Sequence, residues 1–409
     1  MLVANPRATR SPYPDALKSI LNIEKAEESR SWLFCWDKIC ADATPLRELP
    51  GLSAKLHIGS ISVKDESARS VLGSFKALGA PIALVRLIQR LWPDHVLDAR
   101  DLFEGRYREL LTHFTVVSAT DGNHGKGLAA AAQTLGCHCV IVLHANVSVE
   151  REQAIAAYGA EIVRIAGNYD ESVEEAARLA AVNGWHVVSD TSYDGYEDIP
   201  RDVMQGYGTI AAEIVAQSDS HPDRPAYTHV FLQGGVGGLA AGLASYLWEF
   251  HGEHRPRFIV VEPQQADCLY QSALAGRAAR ATGSVDSVMA GLACGETSPL
   301  AWRFLQPSVD DFMTISDDDA VSAMRTLAAG ADNDVPIVAG ESGVAGLAGL
   351  IVLLQDQQLA RKVGLNAASR VLIVNTEGAT APGTYQALVG EAASSVLERQ
   401  SAWRVNAIA

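Results

Sequence analysis

Positive charge is in short supply in this chain. Its 33 lysines and arginines face 48 aspartates and glutamates, a formal net charge of −15 over 409 residues. That surface has the wrong sign for a phosphodiester backbone, so nucleic acid is excluded as the main partner. Cysteine is scarce too. Six in a chain of this length cannot make a disulfide scaffold, and the reduced thiols of a cytoplasmic protein are expected. Whether Cys268 and Cys294 meet is left open by the sequence. No apolar run reaches the roughly 18 residues of a membrane span, and residues 1–7 lack an apolar stretch of secretory length. Zinc spacing is missing as well. Cys137-His138-Cys139 has no second ligand pair and runs on into Val140-Ile141-Val142-Leu143, so a buried strand is expected there and no metal.

What is present is an alternation. Short β-branched runs at 114–118, 140–143, 161–165, 186–188, 229–232, 258–261 and 371–374 read as strands. Ala-rich stretches at 125–135, 149–158, 172–182, 238–250 and 343–354 read as helices. Strand–helix alternation predicts mostly parallel sheets wrapped by helices, and near-continuous apolar strands fit sheets covered on both faces. One group of strands precedes about Pro200 and the other mostly follows it. The α/β fold should therefore have two lobes, each an open, mostly parallel sheet, with the active site between them. The expected division is a large domain of 1–89 and 201–409 and a small domain of 90–200.

Three loops carry chemistry. The first, Gln233-Gly234-Gly235-Val236-Gly237-Gly238-Leu239, follows a strand and opens a helix. Glycines let the backbone approach an anion closely, and the helix start adds partial positive charge. This reads as a phosphate cup. It is not a P-loop, since no Gly-Lys-Ser/Thr follows. Gly235 to Ala240 also fits a dinucleotide fingerprint, but no acidic residue closes a clear strand about 20 residues later. The second, Gly73-Ser74-Phe75-Lys76-Ala77-Leu78, sets a lysine among apolar neighbours. Partial burial would lower its pKa and make it an amine nucleophile or base. The third, Ser118-Ala119-Thr120-Asp121-Gly122-Asn123-His124-Gly125, lies between a strand and a helix. Its hydroxyls, amide and helix N–H groups suit a carboxylate.

Together, the lysine after Ser-Phe, the Thr-x-Gly-Asn-His loop and the glycine loop resemble the fold-type II, or tryptophan synthase β-like, family of pyridoxal-phosphate enzymes. The resemblance implies pyridoxal 5′-phosphate as cofactor, with Lys76 linked to it. Gly234, Gly235, Val236, Gly237 and Gly238 would hold its phosphate and Asn123 its 3′-oxygen, with Glu341 and Asn375 completing the cofactor set. Ser118, Thr120, Asp121, His124 and Asp190 would meet the substrate, a small amino acid. The resemblance also implies a homodimer.

Within that family the chain is most similar to the ammonia-lyases that act on 2,3-diaminopropionate. The likeness covers nearly the whole length. It includes Ala119-Thr120-Asp121-Gly122-Asn123-His124, Met204-Gln205-Gly206-Tyr207-Gly208, Met289-Ala290-Gly291-Leu292-Ala293-Cys294-Gly295-Glu296 and Gly340-Glu341-Ser342-Gly343. It implies an α,β-elimination of either enantiomer, with Lys76, Asp121 and Asp190 catalytic, giving pyruvate and two ammonia. Common serine and threonine dehydratases have a small residue where this chain has Asp121. An acid beside the substrate carboxylate needs a task, either pairing with a cation on the substrate or accepting a proton. The chain departs from the ammonia-lyase pattern at Asn375-Thr376-Glu377-Gly378-Ala379-Thr380-Ala381. Two carboxylates are absent, and Asn375 replaces a serine expected near the pyridine nitrogen. The alternatives are a dehydratase or β-replacement lyase on another β-substituted amino acid, a non-catalytic cofactor-binding protein, or a nucleotide-binding dehydrogenase. Tyr207 and the helix at Ile210-Ala211-Ala212 are expected at a subunit contact.

Overall fold

A computed structural model describes residues 1–408 other than 121 and 168. Its strands are β1 (Leu2–Ala4), β2 (Leu46–Glu48), β3 (Ser60–Asp65), β4 (Thr115–Ala119), β5 (His138–Leu143) and β6 (Glu161–Arg164). They continue as β7 (His186–Val187), β8 (His229–Gln233), β9 (Arg257–Pro263), β10 (Asp311–Ile315) and β11 (Arg370–Asn375). They form a seven-stranded sheet, ordered β1-β10-β9-β8-β11-β3-β2, and a four-stranded sheet, ordered β6-β5-β4-β7. Only the edge strands β1 and β2 pair antiparallel; every other pairing is parallel. The α/β reading with two mostly parallel sheets therefore holds.

Both faces of the large sheet are covered. Val230 and Leu232 of β8 pack into one apolar core with Val116 and Ile141 of the small sheet, while Phe231 between them packs into a second core with Val63, Ile259 and Ile373. That is why β8 carries apolar residues in succession and not in alternation. Because the central strands run parallel, their carboxyl ends gather along one edge. Register sets Asn375 of β11 beside Asp65 of β3, and β8 leads from that edge into the glycine loop. In the small sheet, β4 leads toward the start of the helix Asn123–Leu135, which ends at Gly136 in a left-handed turn (φ 88°). No helix among the described residues is long and apolar enough to cross a membrane.

Candidate active site

Lys76 lies in a short 3₁₀ turn, Phe75–Leu78. The turn is tied to the large sheet by the Phe75 N–H, which donates to the Thr376 carbonyl at 3.0 Å. The Lys76 ammonium donates to the Asp190 carboxylate, and each side chain is 19% exposed. Nζ also sits 5.4 Å from the centre of the Phe75 ring and 5.9 Å from that of Tyr207. Asp190 comes from the segment after β7. Tyr196 clamps that segment: its hydroxyl donates to the Val187 carbonyl at 3.0 Å and accepts from the Ser189 N–H at 2.9 Å. His124 completes the group. Its Nε2 meets the Val188 carbonyl at 2.9 Å, so Nε2 carries the proton. Its Nδ1 lies 3.8 Å from Asp190.

The charges set one another. Burial alone would lower the pKa of Lys76, but the Asp190 carboxylate outweighs it, and the amine is held above its ordinary range. This corrects the expectation of a lowered pKa, which counted apolar neighbours and not the carboxylate. Burial likewise pushes Asp190 up, but the Lys76 ammonium overcomes it and holds the carboxyl low. Burial lowers the pKa of His124, which keeps the imidazole neutral at neutral pH.

Ser118 and Thr120 are buried at the end of β4. Asp121, expected beside them, lies outside the described residues. The Asn123 amide donates to Glu377 Oε2 at 2.5 Å, while the Ser342 N–H donates to Glu377 Oε1 at 3.1 Å. Glu341 accepts from Arg151 at 3.2 Å. Burial first, and then the charge of Glu377, pushes its carboxyl up to about 7.

The glycine loop is shaped to take an anion. Gly235 (φ 63°) and Gly237 (φ 100°) adopt left-handed backbone, which brings successive N–H groups round toward one point. Those of Gly235, Val236 and Gly238 meet no acceptor among the described residues. The helix Gly238–His251 begins there and adds its positive end. Below the loop, Glu262 accepts from the N–H groups of Leu269 (3.0 Å) and Tyr270 (2.8 Å). A side chain at Gly234 would strike Glu262 Cγ at 2.3 Å.

Polar atoms left without partners fit a missing ligand. Buried atoms with no hydrogen bond include Ser118 Oγ, His124 Nδ1, Gln233 Oε1 and Asn375 Oδ1, all on site residues. Buried polar groups are normally paired. A ring with an aldehyde, a hydroxyl and a phosphate arm matches the amine at 76, the amide at 123 and the cup at 234–238. No cluster of metal-ligating side chains occurs among the described residues.

A family model described as pyridoxal-phosphate dependent enzyme matches residues 40–377. The chain belongs to this family. It is 40% identical over 354 residues to the diaminopropionate ammonia-lyase of Salmonella typhimurium, covering 85% of this chain and 87% of that protein. Among solved structures, the Escherichia coli diaminopropionate ammonia-lyase in complex with an aminoacrylate–pyridoxal-phosphate azomethine intermediate superposes with a TM-score of 0.84 at 35% identity, covering 95% of this chain and 96% of the other. The same enzyme in complex with D-serine gives 0.83 at 36% identity with the same coverage.

In this family member, four site residues escape a reading of the sequence. Tyr207, expected at a subunit contact, is 1% exposed, packs against Phe75 with ring centres 4.8 Å apart and a tilt of 57°, and faces Lys76. Glu377, Arg151 and Asp65 are brought in by contacts from distant stretches. The only hint was a charged residue beside a glycine-rich or strand-end motif. Cys268 and Cys294 form no disulfide, and both flank Gly235. Cys268 Sγ lies 3.4 Å from the Gly235 carbonyl, and Cys294 Sγ lies 3.6 Å from where a Gly235 side chain would start.

Proposed function

We propose that the chain eliminates ammonia from 2,3-diaminopropionate, of either hand, to give pyruvate and two ammonia. The observation that carries this reading is the Lys76–Asp190 pair. A carboxylate set against the amine that must serve as base would hinder a site for neutral hydroxy amino acids. It is useful where the substrate brings a second ammonium.

Bound pyridoxal phosphate would supply the electron sink that makes the substrate's Cα proton acidic. The Gly234–Gly238 loop would hold its phosphate, Asn123 its 3-oxygen, and Glu341 and Asn375 would line the ring. Ser118, Thr120, His124 and the start of the 123–135 helix would bind the α-carboxylate. The substrate's β-ammonium would then replace Lys76 on Asp190. Without that partner, burial is the largest influence left on Lys76 and disfavours its charge, so the amine becomes a neutral base on one face of Cα. Asp121 would take the proton from the opposite face of a D-substrate. The structure of the Escherichia coli relative with D-serine supports the acceptance of both hands. As the Cα–H electron pair moves in, the Cβ–N bond breaks, and nitrogen leaves with that bond's pair as ammonia. The unsaturated amine that remains hydrolyses to pyruvate and the second ammonia. A homodimer in the cytoplasm belongs to the same reading, and sedimentation measures its mass.

The test compares pyruvate formation from L- and D-2,3-diaminopropionate with turnover of L-serine and L-threonine. The diamine should have the highest kcat/KM; faster turnover of serine or threonine would replace this reading with a dehydratase. Asp121→Asn should abolish turnover of the D-isomer and spare that of the L-isomer. If D-turnover survives, Asp121 is not its base.

A further inference from the structure

We infer that Asn375 presents a bare carboxamide oxygen to the cofactor's ring nitrogen, that Asp65 is the positioning residue that fixes this orientation, and that the ring nitrogen is thereby held protonated. The inference rests on the pyridoxal-phosphate reading and goes beyond it.

The orientation of the amide is decided by its neighbours. Asn375 Nδ2 donates to Asp65 Oδ1 at 2.9 Å and to the Val338 carbonyl at 3.1 Å. Both amide hydrogens are thus spent on acceptors. The flipped amide would aim its oxygen at a carboxylate and a carbonyl, neither of which can donate. Asp65 is fixed in its turn. Its Oδ2 accepts from Arg47 Nε at 2.8 Å, and its Oδ1 also accepts from the Ser67 hydroxyl at 2.5 Å. Asp65 is 2% exposed and Asn375 fully buried. What remains is Asn375 Oδ1, an acceptor with no donor among the described residues. Gly343 has no side chain to cover it: one there would begin 2.5 Å from Oδ1.

The chemistry of the ring says which atom fills that space. In pyridoxal phosphate the aldehyde carbon lies opposite the nitrogen and is flanked by the hydroxyl and the phosphate arm. With Lys76 at the aldehyde, Asn123 at the hydroxyl and residues 234–238 at the phosphate, the nitrogen points to the remaining wall. Asn375 stands at the strand end of that wall. Gln233, which leads into the phosphate loop, donates there to the carbonyls of Val374 (2.6 Å) and Gly343 (3.0 Å). A serine hydroxyl in this place would serve a neutral or a protonated nitrogen equally, since it can donate or accept. An asparagine tied by its nitrogen offers lone pairs alone. It pairs with a pyridinium N–H and leaves a bare pyridine lone pair facing another lone pair. A protonated ring is the stronger electron sink, which suits removal of a Cα proton.

The experiment loads the holoenzyme with cofactor carrying ¹⁵N at the ring nitrogen and records its NMR shift, with the visible absorption band as a check on cofactor binding. The wild-type signal should sit upfield, at the pyridinium position, and stay there from mildly acidic to mildly basic pH. In Asn375→Ser and Asp65→Asn it should move downfield toward free pyridine, or titrate within that range, while the absorption band remains. In Asp65→Glu it should stay upfield. A wild-type signal at the free-pyridine position overturns the inference, as does an Asp65→Asn signal that does not move. Where a variant fails to fold, the wild-type shift decides alone. A wild-type protein with no absorption band would instead defeat the cofactor reading itself, so the two failures are distinct.

Discussion

Asp190 serves one cation at a time. In the structure that cation is Lys76, and the pairing holds the amine protonated. Replacing the carboxylate by an amide removes both the grip on Lys76 and the seat proposed for the substrate's β-ammonium. Asp190→Asn should therefore retain the cofactor absorption band but lose kcat/KM for diaminopropionate by about 10²–10⁴-fold, the range of a positioned acid–base group. Full activity in this variant would show that the β-ammonium is held elsewhere. Residue by residue, the sequence was informative where chemistry and backbone share one loop. Lys76, Asn123 and the glycines sit in short motifs that name their own task. Tyr207, Glu377, Arg151 and Asp65 do not. Each is an ordinary residue of a helix, strand end or turn until a chain segment far away is folded against it.

Among the elements, the apolar strands β4, β5, β8, β9 and β11 are legible because burial on both faces leaves a continuous apolar run. β3 is disguised by charge. Lys64 and Asp65 end it, yet Lys64 is fully buried, donating to Glu213 at 2.6 Å and to the Thr44 carbonyl at 2.8 Å. Arg69, also fully buried, joins Glu66 at 2.7 Å and Glu213 at 2.7 Å, so two cations balance two anions out of contact with water. No local pattern announces such a network, because its members lie on β3, the turn after it and the helix Asp198–Gln217. Removing one member leaves an unbalanced charge in the interior. Lys64→Met should lower unfolding free energy by about 3–5 kcal/mol, read from urea titration; a loss under about 1 kcal/mol would mean that water reaches the site. The glycine loop makes a sharper demand. At Gly237 a side chain would combine φ 100° with a 2.9 Å approach to Leu305 Cδ1. Gly237→Ala should cost about 1–3 kcal/mol of backbone strain and weaken cofactor retention on gel filtration, while unchanged retention would argue against a phosphate at this loop.

At the scale of the whole molecule, the two sheets are joined by polar ties as well as by a shared apolar core. Lys126, from the helix after β4, donates to the Leu72 carbonyl at 3.1 Å; Asn123 reaches Glu377, and Arg151 reaches Glu341. None of these ties is visible in the sequence, since each joins residues that are each unremarkable in their own segment. The Arg151–Glu341 tie has a pH dependence whose sign follows from its surroundings. Burial, then the neighbouring Glu377 carboxylate, raises Glu341 from an ordinary 4.5 to about 7, against the opposing pull of Arg151. Between those two values the folded chain keeps a proton that the unfolded chain has released, so this group makes stability fall as pH rises through the window. At 1.36 kcal/mol per pH unit the full effect is about 3 kcal/mol. In Glu341→Gln no proton is lost, so the stability of the cofactor-free variant should lack this downward contribution between pH 4.5 and about 7. The variant should gain on the wild type toward the upper end of that window. Parallel pH profiles for the two proteins would mean that Glu341 is already ionised in the folded chain, with Arg151 prevailing over burial and Glu377.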